Sequence, residues 1–187
     1  GLYTVFAKTE PEAGHSGISA FVVESGTPGF EVARLEPKMG IAGSTTGELT
    51  FDGARVPAAN LLGEEGEGFR IAMRILDRSR PGVAAQGLGI AQGATDYALE
   101  YARTRETMGK PIAEHQLIAA KLADMETRTE AARGLLYRFG RMVDEGASDS
   151  ELTKASAMAK LACTDAAMWV TTEAVQVLGG YGYIKEY

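Results

Sequence analysis

Hydrophobic and polar positions change their period once along this chain. From Gly1 to about Gly63 they alternate in short runs, as in Leu2-Tyr-Thr-Val-Phe6 and Ile18-Ser-Ala-Phe-Val-Val23, the two-residue period of half-buried strands. Two further strands are predicted at Phe30–Leu35 and Glu48–Phe51. Between them lie turn residues: Pro11 to Gly17, Gly26-Thr-Pro-Gly29, Gly40 to Gly43 and Asp52-Gly53. This stretch predicts a partial antiparallel sheet or barrel.

Beyond Gly63 the glycines, prolines and β-branched residues thin out and the apolar period lengthens to that of a helix, with the boundary between Val56 and Glu67. One helix is predicted from Glu67 or Gly68 to Ser79. A second runs from Pro81 to Arg103, with the proline in its first turn, where a missing amide hydrogen is harmless. A third runs from near Pro111 to near Asp144. Its seam of Ile118, Leu122, Met125, Ala132, Leu136, Phe139 and Val143 steps by threes and fours, interrupted only by Thr129. A fourth runs from Asp149 or Ser150 to Leu178, with Ser150 as N-cap and Gly179-Gly180 as stop. In it Ala155, Ala159, Ala162 and Ala166 form a stripe of small side chains that admits a close neighbour. The fold class is therefore α+β: a partial antiparallel β-barrel or sheet over residues 1–63, then an up-and-down four-helix bundle over 64–187. No internal repeat or low-complexity tract is present.

Composition narrows the function. Of 187 residues 45% are hydrophobic, enough for one large domain or one domain and part of another. The net charge of -6 leaves no one-signed basic surface for a phosphate backbone, which argues against nucleic acid. No run reaches the roughly 18 apolar residues that span a bilayer, and no charged-then-apolar leader opens the chain, so a soluble protein is expected. The opening residues lack an initiator Met and read as strand interior, so the chain is expected to begin in mid-domain. The single cysteine, Cys163, lies among Leu161, Ala162 and Ala166 and reads as a buried small hydrophobe in a reducing compartment. With the missing leader this fits bacterial cytoplasm or mitochondrial matrix.

Few general catalytic motifs are present. There is no P-loop, dinucleotide glycine fingerprint or nucleophile elbow, and His15 and His115 alone do not support a histidine triad or a zinc site. The glycine-rich stretch Gly87 to Gly93 follows no strand and lies inside an Ala-rich helix, so its glycines read as helix-packing residues. As bare residues, Asp77 and Arg80 form an i,i+3 surface pair and Arg105 is a solvated helix end.

Six phrases in order are more specific. They are Lys38-Met-Gly-Ile-Ala-Gly-Ser-Thr-Thr46, Val56-Pro-Ala-Ala-Asn-Leu-Leu-Gly-Glu-Glu-Gly-Glu-Gly-Phe69, Leu76-Asp-Arg-Ser-Arg-Pro81, Arg105-Glu-Thr-Met-Gly-Lys110, Glu114-His-Gln116 and Gln176-Val-Leu-Gly-Gly-Tyr-Gly-Tyr183. With these the chain resembles the acyl-CoA dehydrogenase family, its short-chain and related bacterial branch above all. The likeness runs from the middle β-domain through most of the C-terminal helical domain.

The resemblance implies FAD as cofactor and α,β-desaturation of an acyl-CoA thioester, in which a glutamate removes the α-proton and the β-hydrogen leaves as hydride to the flavin N5. It implies that Arg105 and Thr107 contact the FAD of a neighbouring subunit, with Arg105 facing the pyrophosphate. It places Met108 against the cofactor, where relatives often carry Phe, and His115 and Gln116 in the flavin-contact region. Gln176, Gly179 and Gly180 match the segment that receives the adenosine end. Asp77 and Arg80 match a corner contacting the CoA and acyl parts of the substrate, and His15 lies in a loop that relatives turn towards CoA.

The family's usual catalytic glutamate falls beyond Tyr187, and the alternative position is Ser79, which is no base at neutral pH. Glu173 and Glu186 match neither position and read as surface charge. These 187 residues are therefore expected to be inactive alone, with no catalytic residue among them. The implied partners are electron-transfer flavoprotein and further copies of the chain, as a tetramer or dimer. Straight, branched and aromatic thioesters all fit the resemblance. An oxidase of the same fold, marked by peroxide formation, and a non-catalytic assembly chain, marked by failure to hold FAD, are the rival readings.

Overall fold

The alternating run Leu2–Lys8 forms strand β1, antiparallel to β2 (Ile18–Glu24), in a register from Leu2 opposite Glu24 to Lys8 opposite Ile18. The structure is a computed structural model that describes residues 1–187, which divide into two compact units, Gly1–Arg74 and Ile75–Tyr187. In the first unit β3 (Phe30–Leu35) and β4 (Gly47–Phe51) form a separate two-stranded antiparallel sheet with a register shift between Val32 and Arg34. The short β5 (Leu61–Leu62) joins β2 opposite Ala20 and Phe21, completing a three-stranded sheet in the order β1-β2-β5. Two residues are too few to show a period, so β5 has no signature in the sequence. The Asn60 side-chain amide donates to the Val22 carbonyl at 2.9 Å and fixes it there.

Turn chemistry behaves as the residue types demand. Gly29 has φ +82°, and a Cβ there would lie 2.2 Å from the Asp52 carbonyl oxygen, so neither the conformation nor the space admits a side chain. Ser19 is fully buried and satisfied. Its Oγ accepts from the Gly66 amide and is bonded to the Thr9 hydroxyl, each at 2.8 Å.

The helical residues form α1 (Gly68–Thr104), α2 (Gln116–Asp144) and α3 (Asp149–Leu178). All four predicted helical segments are present, the first two joined end to end in α1. Pro81 lies inside α1 rather than opening a new helix. An interior proline withholds the amide hydrogen that the Asp77 carbonyl would accept, at a cost of roughly 3 kcal/mol. In that turn the Asp77 carboxylate takes hydrogen bonds from the Arg80 guanidinium on the same helix and, at 2.8 Å, from the Thr153 hydroxyl on α3. The third helix begins later than the sequence suggested, because Pro111 belongs to a short strand and Ile112–Glu114 to a 3-10 turn.

The N-cap of α3 is Ser148, not Ser150. Its hydroxyl accepts from the Glu151 amide at 3.4 Å while the Glu151 carboxylate accepts from the Ser148 amide at 3.1 Å, a reciprocal capping box. The Ser148 hydroxyl also donates to the Glu151 carboxylate at 2.6 Å, and this bond, with that from the Ser148 amide, holds the carboxyl below its ordinary value.

Small side chains set the spacing of the bundle. Ala84 and Leu88 of α1 pack with Ala132 of α2 and Ala159, Cys163 and Ala166 of α3. Further along, Ala91, Ala98 and Ala102 meet Met125 and Val170. Full burial of a Met or Val side chain contributes about 1.5–3 kcal/mol. Of the glycine-rich stretch, Gly87 is the packing residue: a Cβ there would sit 3.1 Å from the Cys163 carbonyl oxygen, whereas Gly89 and Gly93 face open space. Cys163 is buried, its Sγ 3.6 Å from the Ala132 carbonyl oxygen, and burial pushes its thiol pKa up. Thr129, the one break in the α2 seam, is also fully buried. Its hydroxyl donates to the Met125 carbonyl at 2.9 Å, so the polar atom costs little. The Lys121–Glu173 ion pair and the Arg128 guanidinium, 4.1 Å from the Trp169 ring centroid, tie α2 to α3 from outside. No helix is long and apolar enough to cross a membrane.

Candidate functional site

The connection from α1 to α2 and the end of α3 build one cleft. Where α1 stops, the Arg105 amide still donates to the Tyr101 carbonyl at 2.8 Å, and the Arg105 carbonyl accepts from the Ile112 amide at 2.8 Å. Between these bonds the chain forms a hairpin of β6 (Glu106–Thr107) and β7 (Lys110–Pro111), with Thr107 opposite Lys110. Its two-residue turn has φ 51° at Met108 and 80° at Gly109, the left-handed pair of a type I′ hairpin. Glycine adopts this freely, whereas Met108 is held there by the ladder on either side.

His115 follows the 3-10 turn, immediately before α2. Its Nε2 lies 3.1 Å from the Thr107 hydroxyl and 3.2 Å from the Thr107 carbonyl oxygen. The carbonyl only accepts, so the tautomer with Nε2–H serves both contacts and leaves the Thr107 hydroxyl hydrogen free to donate elsewhere. Across from this arm, α3 ends at Gly179 (φ 60°, ψ -130°) and the chain turns through the 3-10 segment Gly179–Tyr183. A Cβ at Gly179 or Gly180 would meet nothing within 4 Å, so the backbone there lies open to a ligand.

The cleft holds about 770 Å³, within the roughly 300–1,000 Å³ of small-molecule sites. Arg105, Thr107, His115, Gly179 and Gly180 line it together. Most of the remaining lining is apolar, from Ile112, Leu117, Ile118, Val177 and Leu178. No carboxylate lines it, and Arg105 takes part in no ion pair. Its guanidinium carbon lies 5.5 Å from the centroid of the Tyr181 ring. An unpaired guanidinium, a free hydroxyl and open backbone over an apolar floor form a donor set suited to a phosphate-bearing ligand with a flat aromatic part.

The other residues singled out from the sequence lie outside this cleft. Met108 is at the hairpin tip, 95% exposed. Gln116 opens α2 and Gln176 lies in the last turn of α3, both exposed and neither among the lining residues. Asp77 and Arg80 are paired with each other near the opposite end of α1, about 40 Å from Arg105 at 1.5 Å per helical residue. In the first unit, His15 stacks on Phe69 with ring centroids 4.4 Å apart. The Ser79 hydroxyl donates to the Leu76 carbonyl at 3.2 Å, Glu173 is paired with Lys121, and Glu186 is exposed. Sequence reasoning missed Tyr101 and Tyr181. The signal for Tyr181 stands in the phrase Gly179-Gly-Tyr-Gly-Tyr183, where the glycines draw attention away from the aromatic residue between them.

A second cleft of about 510 Å³ lies between α1 and α2 at Gly89, Gly93, Arg133 and Tyr137. Its polar groups satisfy one another. Arg133 donates to Glu130, which raises the guanidinium's pKa further, and to Gln92, which in turn donates to Asp96 at 2.8 Å.

Comparison with known proteins agrees with this architecture. Residues 1–54 match the family model of the acyl-CoA dehydrogenase middle domain, and residues 66–187 that of the acyl-CoA dehydrogenase C-terminal domain. The chain belongs to the acyl-CoA dehydrogenase family. It is 52% identical to the acryloyl-CoA reductase (NADH) of Anaerotignum propionicum, over 100% of this chain and 47% of that protein. The solved structure of butyryl-CoA dehydrogenase from Megasphaera elsdenii superposes with a TM-score of 0.94 at 52% identity, covering 100% of this chain and 48% of that one. A chain from the electron transferring flavoprotein structure of Acidaminococcus fermentans gives a TM-score of 0.93 at 49% identity, with the same coverage of 100% and 48%. The chain thus spans about half the length of the relatives it matches.

Proposed function

We propose that the whole protein is an FAD-dependent acyl-CoA dehydrogenase that introduces an α,β double bond into an acyl-CoA thioester. The observation that carries this is the convergence of Arg105, Thr107, His115, Gly179 and Gly180 on one carboxylate-free cleft, in a chain of this family. Bound FAD supplies the hydride acceptor for the β-hydrogen. The work of this chain is positional. Arg105 offers forked donors to the diphosphate, Thr107 adds a hydroxyl donor fixed by His115, and the bare backbone of Gly179 and Gly180 admits the adenosine end. Met108 at the hairpin tip, Gln116 at the start of α2 and Gln176 in the last turn of α3 contact the cofactor from outside the cleft.

Asp77 and Arg80 contact the CoA and acyl parts of the substrate, and their separation of about 40 Å from Arg105 makes these two different sites in one chain. That separation supports an oligomer, tetramer or dimer, in which Arg105 serves a neighbour's cofactor. Residues 1–63 belong to the middle domain and 64–187 to the C-terminal bundle, and the α-proton is removed by a glutamate outside these residues. Electrons pass to electron-transfer flavoprotein, and the compartment is bacterial cytoplasm or mitochondrial matrix. The likeness to the Anaerotignum reductase supports a second reading, in which the same thioester pair runs towards saturation.

Anaerobic titration of the full-length protein with straight, branched and cyclic acyl-CoA thioesters tests this. At least one thioester is expected to bleach the oxidised flavin. If none does and the unsaturated thioesters reoxidise the chemically reduced flavin, the second reading holds, and if neither occurs both are wrong.

A further inference from the structure

We propose that Tyr181 is a positioning residue that holds the Arg105 guanidinium ready for the cofactor diphosphate, an inference resting on the FAD site proposed above. Arg105 is exposed, forms no ion pair, and follows the last residue of α1, where only its backbone is tied. A free arginine side chain carries rotamer entropy that is lost when it closes on an anion. The one group found against this guanidinium is the Tyr181 ring, 5.5 Å from its centroid to the guanidinium carbon. A ring face attracts the cation without taking up its N–H donors as an acceptor lone pair would, so they remain available to phosphate oxygens.

Tyr181 is itself held. Its ring lies 4.9 Å from that of Tyr187 and 6.3 Å from that of Tyr101, at tilts of 51° and 59°. The turn that presents it is constrained by close packing, because a Cβ at Gly182 would come within 2.6 Å of the Val175 carbonyl oxygen. The end of α3 thereby supplies more than open backbone at Gly179 and Gly180, since it also carries the surface that orders the cation delivered from the end of α1.

The test is FAD affinity of the full-length apoprotein, measured by flavin fluorescence quenching. A cation–π contact at an exposed site is worth about 0.5–1 kcal/mol, so Tyr181→Leu is expected to raise the FAD Kd about two- to fivefold. Tyr181→Phe keeps the ring face and is expected to stay near the parent value. In an Arg105→Gln background, Tyr181→Leu is expected to add nothing, because the residue acts through the arginine. The proposal is overturned if Tyr181→Leu binds FAD as the parent does, if Tyr181→Phe loses as much as Tyr181→Leu, or if the Tyr181→Leu penalty persists in full in the Arg105→Gln background. If Arg105→Gln itself leaves FAD affinity unchanged, the cofactor site and this proposal fall together, whereas an effect at Arg105 with none at Tyr181 sinks only the latter. Should Tyr181→Leu not fold, the near-ultraviolet tyrosine difference spectrum on Arg105→Gln replaces it: loss of the cation shifts a tyrosine band, and an unchanged spectrum contradicts the contact.

Discussion

Asp77 on α1 and Thr153 on α3 are hydrogen-bonded at 2.8 Å across a separation of 76 residues, and Gly87 faces Cys163 with the same offset, so the two helices run parallel in one register. α2 runs antiparallel to α3, pairing Lys121 with Glu173 and the Ala132 carbonyl with Cys163. This register carries Arg105, at the end of α1, and Gly179, at the end of α3, to the same end of the bundle.

The close approach at Gly87 makes that register sensitive to volume. Gly87→Val places branched atoms where a single Cβ already lies 3.1 Å from the Cys163 carbonyl oxygen. Overpacking of this kind costs about 1–3 kcal/mol, and a drop in the denaturant midpoint of the full-length protein is expected. Gly89→Ala meets nothing within 4 Å and gains about 0.5–1 kcal/mol of helix propensity, so its midpoint is expected to rise.

Ser148 and Glu151 start α3, and Ser148→Ala is expected to lower stability by about 1 kcal/mol. Glu151 adds a pH dependence of known sign. Hydrogen bonds from Ser148 lower its pKa in the folded state below the value of 4.5 it starts from. Its stabilisation is therefore present above that value and is lost as pH falls through the lower folded one. Glu151→Gln is expected to flatten the acid limb of a stability–pH profile measured by chemical denaturation, and a limb identical to that of the parent contradicts the capping box.

Lys121 and Glu173 join α2 to α3 with side chains 35% and 20% exposed. Partial exposure screens the pair, so the coupling energy from a Lys121→Met and Glu173→Gln double-mutant cycle is expected near 0.5–1 kcal/mol. Glu173 is engaged by Lys121 and lies outside the cleft, so Glu173→Gln is expected to retain substrate-dependent flavin bleaching. Loss of bleaching in a folded variant would reassign it.

Much of this was legible in the residues. Strands at Phe30–Leu35 and Glu48–Phe51 follow from alternation, and the α2 seam from its steps of three and four. What escaped depends on distant partners. Pro81 reads locally as a helix start, and nothing in the residues around it shows that α1 continues through it. Ser150 and Ser148 are equivalent caps by type, and the reply from Glu151 three residues on decides for Ser148. In the cleft, motif phrases named Arg105, His115 and the glycines. Tyr101 and Tyr181 entered only through the turn that brings the end of α3 back beside α1.

The most direct measurement is the FAD dissociation constant of the full-length protein and its Arg105→Gln variant. A charge-assisted hydrogen bond contributes about 1.5–3 kcal/mol, so the variant is expected to bind FAD roughly 10- to 100-fold more weakly. Equal affinity in a correctly folded variant would contradict the assignment of this cleft to the cofactor.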